Sequence, residues 1–401
     1  MKPRALTALA AVVASATLSV ARADVITVGP SQDIQDAIDL LMINSDPTDT
    51  VRIAPGTYAE SLVIDFSGTN QTGLTIVRDQ NQRPIITGGI LVRDAFRVTL
   101  YGLRVDSPHG DGNAAIRVRD SSAVSVERCS GFAGDDGGLD ASDSFEIVVL
   151  DSDFVGMDET GGEGGIGVRI DGGCAHYLDD VVASSNEAIG FLIEADEVRM
   201  AKLVAEGNGE GGIAVHGFAN SLSKSDANKN DGFGIEVVGV CDVKKCDVNG
   251  NEGTGIRFGE DGGATMHGGS IRNCNVKKSG GNGIVVKEEH RGLLIQENKV
   301  IESGGSAVRL VGDANHVTKN TIKDSKSGSD GGHGVLVTSS SGRNCIDQNT
   351  FNDNSGVAVR VEGDSNYVLA NKGKGGDGFV DAGGSGNSGR ANSTSGTNHF
   401  P

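Results

Sequence analysis

Residues 230 to 258 read NDGFGIEVVGVCDVKKCDVNGNEGTGIRF, slightly more than one period of a repeating pattern. Ile235 and Val237, just after Gly234, return 21 residues later as Ile256 and Phe258 after Gly255. Asn230, five residues before Ile235, returns as Asn251, five before Ile256. Between the two lies an apolar pair, Val243 and Val248, that brackets Cys246. Apolar-x-apolar runs of this length, bounded by Gly and Asn, read as short strands separated by sharp bends. Such strands cannot bury a face alone, so each needs a neighbour with the same pattern.

Those neighbours run through most of the chain. Taking Ile90, Ile116, Leu139, Val168, Phe191, Ile213, Ile235, Ile256, Ile284, Val308, Val335, Val359 and Phe379 as equivalent markers, twelve steps cover 289 residues. The mean step is 24 residues, with a range of 20 to 29. About ten residues upstream of a marker recurs apolar-x-x-(Asn/Cys/Ser)-x-apolar, as in Val149/Ser152/Phe154, Ile295/Asn298/Val300 and Ile346/Asn349/Phe351. Five residues before the marker fall Asn186, Asn208, Asn230, Asn251 and Asn354, with Ser279 and Ser303 in the same place. Stacked at about 4.8 Å per layer, such coils form parallel sheets with ladders of like side chains. Asn suits the bend because it tolerates left-handed φ and its amide can bond to the next Asn in the stack. The predicted fold is all-β: a single-stranded parallel β-helix of about 12 to 13 coils over 61–380. A leucine-rich repeat needs Leu where Ile, Val and Asn stand, and a calcium-binding nonapeptide helix needs a period near 9 residues.

Ahead of the repeat, "VRIAPGTYAE" (51–60) reads as a strand closed by a Pro-Gly turn. It follows "DIQDAIDLLM", a helix with Ile34, Ala37, Ile38 and Leu41 on one face. On these features the sequence resembles the right-handed parallel β-helix proteins of the pectin-lyase-like superfamily, which include pectate lyases, polygalacturonases, alginate-modifying enzymes and noncatalytic accessory proteins. In that family a V-x-I-x-PGTY-x-E segment follows an amphipathic helix and opens the first coil. The resemblance implies that residues 24–60 hold a helix that plugs the N-terminal end of the core, plus the first strand. Residues 381–401, rich in Gly, Ser and Asn, are predicted to be a disordered tail.

Residues 1–23 combine Lys2 and Arg4, an apolar run and Ala21-Arg22-Ala23, the pattern of a secretory signal with cleavage after Ala23. No later window reaches the roughly 20 apolar residues of a transmembrane helix. The expectation is a secreted or periplasmic monomer without a membrane span. The formal charge is -19, and the segment 1–23 holds three positive residues and no negative ones, so without it the charge is -22. That acidity disfavours nucleic acid and favours cations such as calcium. No organic cofactor is expected.

Chemistry is expected on outward residues of the marker strands, where the fold family lays its substrate. Arg117, Arg119, Asp140, Arg169, Asp171, Glu194 and His216 form a mixed patch in the early coils. Nearby loops add His109, Asp135, Asp136, Asp158 and Glu159. Hard cations need several such oxygens, and the resembling lyases pair calcium-holding carboxylates with an Arg or Lys base. The resemblance therefore implies catalytic roles for Arg169, Arg117 and His109 and substrate contacts from Arg119, Asp171, Glu194 and His216. It implies a calcium site of Asp135, Asp136, Asp140, Asp158 and Glu159. The same charges also fit a solvated ladder of alternating sign that only stabilises the sheet.

Other motifs lead nowhere. Asp135-Asp136 and Gly332-His333-Gly334, both polygalacturonase-like, lie about eight coils apart, roughly 40 Å at the stacking rise. "SPHGD" at 107–111 departs from the Asp-Pro-His-Asp of mannuronan epimerases, and "GEGGIG" at 162–167 has no helix after it. Cys246 and Cys274 share a ladder position in successive coils and are a disulfide candidate, with a reduced inward stack as the alternative. Cys129, Cys174, Cys241 and Cys345 show no partner or zinc spacing. The functional expectation is an exported protein that binds, and cleaves or epimerises, a polysaccharide. The alternative is a noncatalytic scaffold.

Overall fold

The computed structural model describes residues 24–400 apart from 44, 45, 47, 70, 107–113, 133–136, 157–164, 261–263, 329, 375–377, 395 and 397. His109, Asp135, Asp136, Asp158 and Glu159 lie outside the described residues, as does segment 1–23.

Each coil contributes three short parallel strands, exemplified by Arg199–Ala201, Val204–Glu206 and the opening of Gly211–Ser223. Between coils they stack into a first, a second and a marker sheet. The thirteen apolar markers stand opposite one another without a slip, from Ile90↔Ile116 through Phe191↔Ile213 to Val359↔Phe379. Such register is demanded by a period of two: a one-residue shift would turn every core side chain to solvent. Inward residues such as Phe154, Phe191, Phe258, Phe351 and Phe379 are fully buried in one continuous core.

The stack has about 14 turns, more than the markers alone predict. Leu62–Asp65 adds a layer on Ile90–Arg93, and Asn398–His399 adds one on Phe379–Asp381. The expected disordered tail is thus corrected: Ser388–Arg390 pairs with Tyr367–Leu369. Backbone pairing and Asn ladder bonds continue there, with Phe400 as a last apolar side chain packed against the core.

The predicted helix is Ile34–Met42, the sole helix among the described residues, with Ile34, Ala37, Ile38 and Leu41 buried against the core. No described helix is long and apolar enough to cross a membrane. Asp33 accepts from the N–H groups of Gln35 and Asp36 at 2.8 and 3.3 Å. Glu60 closes the PGTY-x-E segment onto the same helix start, its carboxylate accepting the Ile34 N–H at 3.0 Å and the Gln35 N–H at 3.1 Å. This satisfies donors that a helix start leaves open and sets a negative charge at the positive end of the dipole. One strand was missed: Val25–Val28 precedes the helix and pairs with Thr50–Ile53.

The bends differ from expectation in one respect. The left-handed residue is not the ladder Asn but the one before it: Lys229 (φ 54°) before Asn230, Lys319 (56°) before Asn320, Gln348 (55°) before Asn349. The Asn then points inward. Asn208 Nδ2 donates to Asn230 Oδ1 at 2.9 Å, and that same oxygen accepts the Asn208 N–H at 3.0 Å. Each amide therefore serves the backbone of the coil beside it.

The candidate disulfide is also corrected. Cys246 and Cys274 are free thiols in one ladder column. Cys274 Sγ accepts the Cys246 N–H at 3.5 Å, and each thiol donates to a carbonyl two residues back, at 3.6 and 3.4 Å. The thiols thus occupy the positions that Ser225 and Asn298 fill in neighbouring coils, which is the reduced stack.

Candidate functional site

The outward face of the marker sheet carries a continuous row of charges, because register places residues one and three after each marker in columns. Arg93 binds Asp65 at 2.6 Å. Arg119 pairs with Asp140 and reaches Ser142 Oγ at 2.7 Å. The hydrogen-bonded Asp140 carboxylate raises the Arg119 pKa above its ordinary value. Arg117 stands in register between Leu91 and Asp140.

The densest part overlaps the later half of the sequence patch and runs two coils beyond it. Arg169 contacts Asp171 at 3.5 Å and Glu194 at 3.4 Å. Glu194 Oε1 lies 3.7 Å from His216 Nδ1, and His216 Nε2 lies 3.3 Å from Glu236 Oε1. Glu236 in turn pairs with Arg257, whose guanidinium sits 5.1 Å above the Phe233 ring. Arg169, Glu194, His216, Glu236 and Arg257 thus join five successive coils, a span of about 19 Å at the stacking rise. The imidazole has a carboxylate at each nitrogen. Nε2 is within hydrogen-bond distance of Glu236, while Nδ1 stands at ion-pair distance from Glu194.

A hollow of about 190 Å³ opens at this end, lined by Glu236, Arg257, Gly259, Glu260 and Lys287. Another, of about 630 Å³, lies at the edge of the first sheet between Ala175, His176, Tyr177, Glu197, Arg199 and Ala219. His176 there is buried, accepting the Ile147 N–H at 3.2 Å, and burial lowers its pKa. It serves the turn rather than the charged row.

The structure therefore brings together four of the predicted site residues, Arg169, Asp171, Glu194 and His216, while Asp140, the register neighbour of Arg169, pairs instead with Arg119. Glu236 and Arg257 were missed. The signal was present, since both are the residue after a marker, but the patch was cut off at His216. Of the five carboxylates expected to bind calcium, only Asp140 is described, and its oxygens face Arg119 rather than other carboxylates. The expected calcium site therefore falls mainly outside the described residues.

Residues 211–372 match the family model described as "Right handed beta helix region". No curated protein matches the sequence. Among solved structures, the chain is similar to the catalytic unit of the thermostable GH87 alpha-1,3-glucanase from Streptomyces thermodiastaticus strain HF3-3. That likeness has 13% identity and a TM-score of 0.56, and covers 92% of this chain and 67% of the other. The receptor binding domain of the Siphovirus 9NA tailspike follows at 9% identity and TM-score 0.52, covering 91% and 76%. The A-module of mannuronan C-5 epimerase AlgE6 from Azotobacter vinelandii is 17% identical with TM-score 0.43, covering 92% and 94%. Such identities bear on fold and not on activity. With the marker register and the first two likenesses together, the chain is a right-handed parallel β-helix.

Proposed function

We propose that the protein binds a polysaccharide along the outward face of the marker sheet, over the row from Arg169 to Arg257. The observation that carries this reading is the shape of that row. It follows the stack over about five coils and is partly exposed, while the hollow beside it, about 190 Å³, is smaller than the roughly 300 Å³ at which small-molecule pockets begin. An extended polymer can engage such a surface; a compact ligand finds little to enclose it. Glu194, His216 and Glu236 are the groups available to exchange a proton with a bound sugar, and Arg169 and Arg257 are the cations available to a uronate carboxylate.

The finer reading is an exported polyuronate lyase or epimerase, with Arg169 as base and calcium assisting. Its support is the position of Arg169 in the row and the family resemblance of the repeat. A noncatalytic scaffold is the second reading, favoured by the lateral pairing of Arg93, Arg119, Arg169 and Arg257 with carboxylates. The test is affinity of the full chain for pectate, alginate, glycosaminoglycans and α-1,3-glucan, together with ultraviolet absorbance of unsaturated uronate products, with calcium or EDTA. Retention of one polymer, weakened at least about tenfold in Glu236→Gln, supports binding at the row. Absorbance growth that vanishes in Arg169→Ala adds elimination. No retention of any polymer leaves the scaffold.

A further inference from the structure

The outward face of the first sheet carries a second cluster, remote from the charged row in the coil path. His316 and Cys345 stand directly opposite in successive coils, and Asp347 lies two residues beyond Cys345 on the same face. One ligand atom from each, an imidazole nitrogen, the thiol sulfur and a carboxylate oxygen, lies within 4.8 Å of the others. His316 Nε2 and Asp347 Oδ1 are already 2.7 Å apart. The other Asp347 oxygen accepts from Gln348 Nε2 at 2.8 Å, which fixes the carboxylate's direction. Cys345 thus has metal-binding neighbours that its sequence spacing concealed, because they come from another coil and from across one pleat.

We propose that His316, Cys345 and Asp347 form a binding site for a borderline divalent transition ion, with Zn²⁺ the best match. Nitrogen, sulfur and carboxylate oxygen together are a zinc donor set, whereas calcium and magnesium take oxygen alone. Zinc bond lengths place tetrahedral ligands about 3.5 Å apart, so these atoms need only small side-chain rotations to converge. The strands that carry them are held by the ladder bonds of Asn315 to Asn344 and of Asn320 to Asn349, at 2.8 and 3.0 Å, so the site is set on rigid backbone. Gln348 acts as the outer partner that orients a metal carboxylate. Three protein ligands leave the fourth position to water, and the ion would clamp two adjacent coils together.

The full chain, stripped with EDTA, is titrated calorimetrically with Zn²⁺ and separately with Co²⁺ under absorbance. Expected are one tight Zn²⁺ per chain and a thiolate-to-cobalt charge-transfer band. Both should be lost in Cys345→Ser, and Zn²⁺ affinity should fall at least about tenfold in His316→Ala and Gln348→Ala. The band is decisive, because a chain of charge -19 attracts cations weakly at many places but only a thiolate gives this signature. Absence of the band in the natural protein overturns the proposal, whatever the variants do. So does a band or stoichiometry unchanged in Cys345→Ser, and so does binding no tighter than that of Mg²⁺.

Discussion

The coils between Gly137 and Phe258 and those between Ile284 and Asn392 share one period but are built differently. In the former, marker strands lengthen, to the point where Gly211–Ser223 and Phe233–Lys244 run through the turn into the next sheet. One complete Asn ladder, Asn186 to Asn251, supports them. In the latter nearly every strand is three residues long, and two turns carry Asn columns: Asn298 to Asn392 and Asn315 to Asn387. The charged row sits on the first kind of coil. Regularity is thus greatest away from the candidate site, as expected where surface chemistry pulls a fold from its ideal repeat.

The strongest way to break this comparison is to remove one amide from the regular part. Asn349 donates to the Val317 carbonyl at 2.8 Å and to Asn371 Oδ1 at 3.0 Å, while its own oxygen accepts twice from Asn320. Asn349→Ala strands several buried groups and should cost roughly 3–4 kcal/mol by urea denaturation. His216→Ala in the charged row, a partly exposed ion-pair member, should cost about 1 kcal/mol or less. Equal losses would erase the distinction.

Acid sharpens the comparison by probing turns in both regions. Burial holds His176, His290 and His333 below the ordinary histidine pKa of 6.5. The unfolded chain therefore binds protons that the folded one refuses, and stability should fall as pH drops from about 7 toward 5. The slope of the midpoint against pH should flatten in His333→Gln, whose native Nδ1 accepts the Val357 N–H at 3.1 Å. A midpoint that rises on acidification over this window would contradict it.

The smallest effect concerns left-handed residues. Ala370 (φ 54°) precedes the ladder residue Asn371. Ala370→Gly relieves a left-handed strain of about 1–2 kcal/mol but loosens the unfolded chain by about 0.4–1, for a net gain near 0.5 kcal/mol in the denaturation curve.

Sequence periodicity made the repeat legible because core positions obey a simple rule: a buried marker every coil, an alternating partner, a bend residue. All thirteen markers fell in one column for that reason. The first strand, Val25–Val28, escaped because it stands alone before the helix, with no repeat to reveal it. The final layers escaped because Asn387 and Asn392 join ladders where the sequence offers almost no apolar residue, Phe400 alone packing on the core. The charged row was half visible: columns follow from register, but whether Arg169 turns to Glu194 rather than Asp140 depends on side-chain reach. The grouping of His316 with Cys345 and Asp347 needed the register of the first sheet, whose outward residues carry no repeating signature.

The Asn ladders join residues most often 21 or 22 apart, as in Asn186 to Asn208 and Asn349 to Asn371, while the 29-residue step from Asn320 to Asn349 lodges its extra length in the loop between. Coils joined by these ladders therefore offer matching docking surfaces above and below, whatever their circumference. A gene that duplicated or lost one such cassette would lengthen or shorten the rod by a single layer without disturbing the faces that meet, so the protein's reach can evolve in steps of one coil.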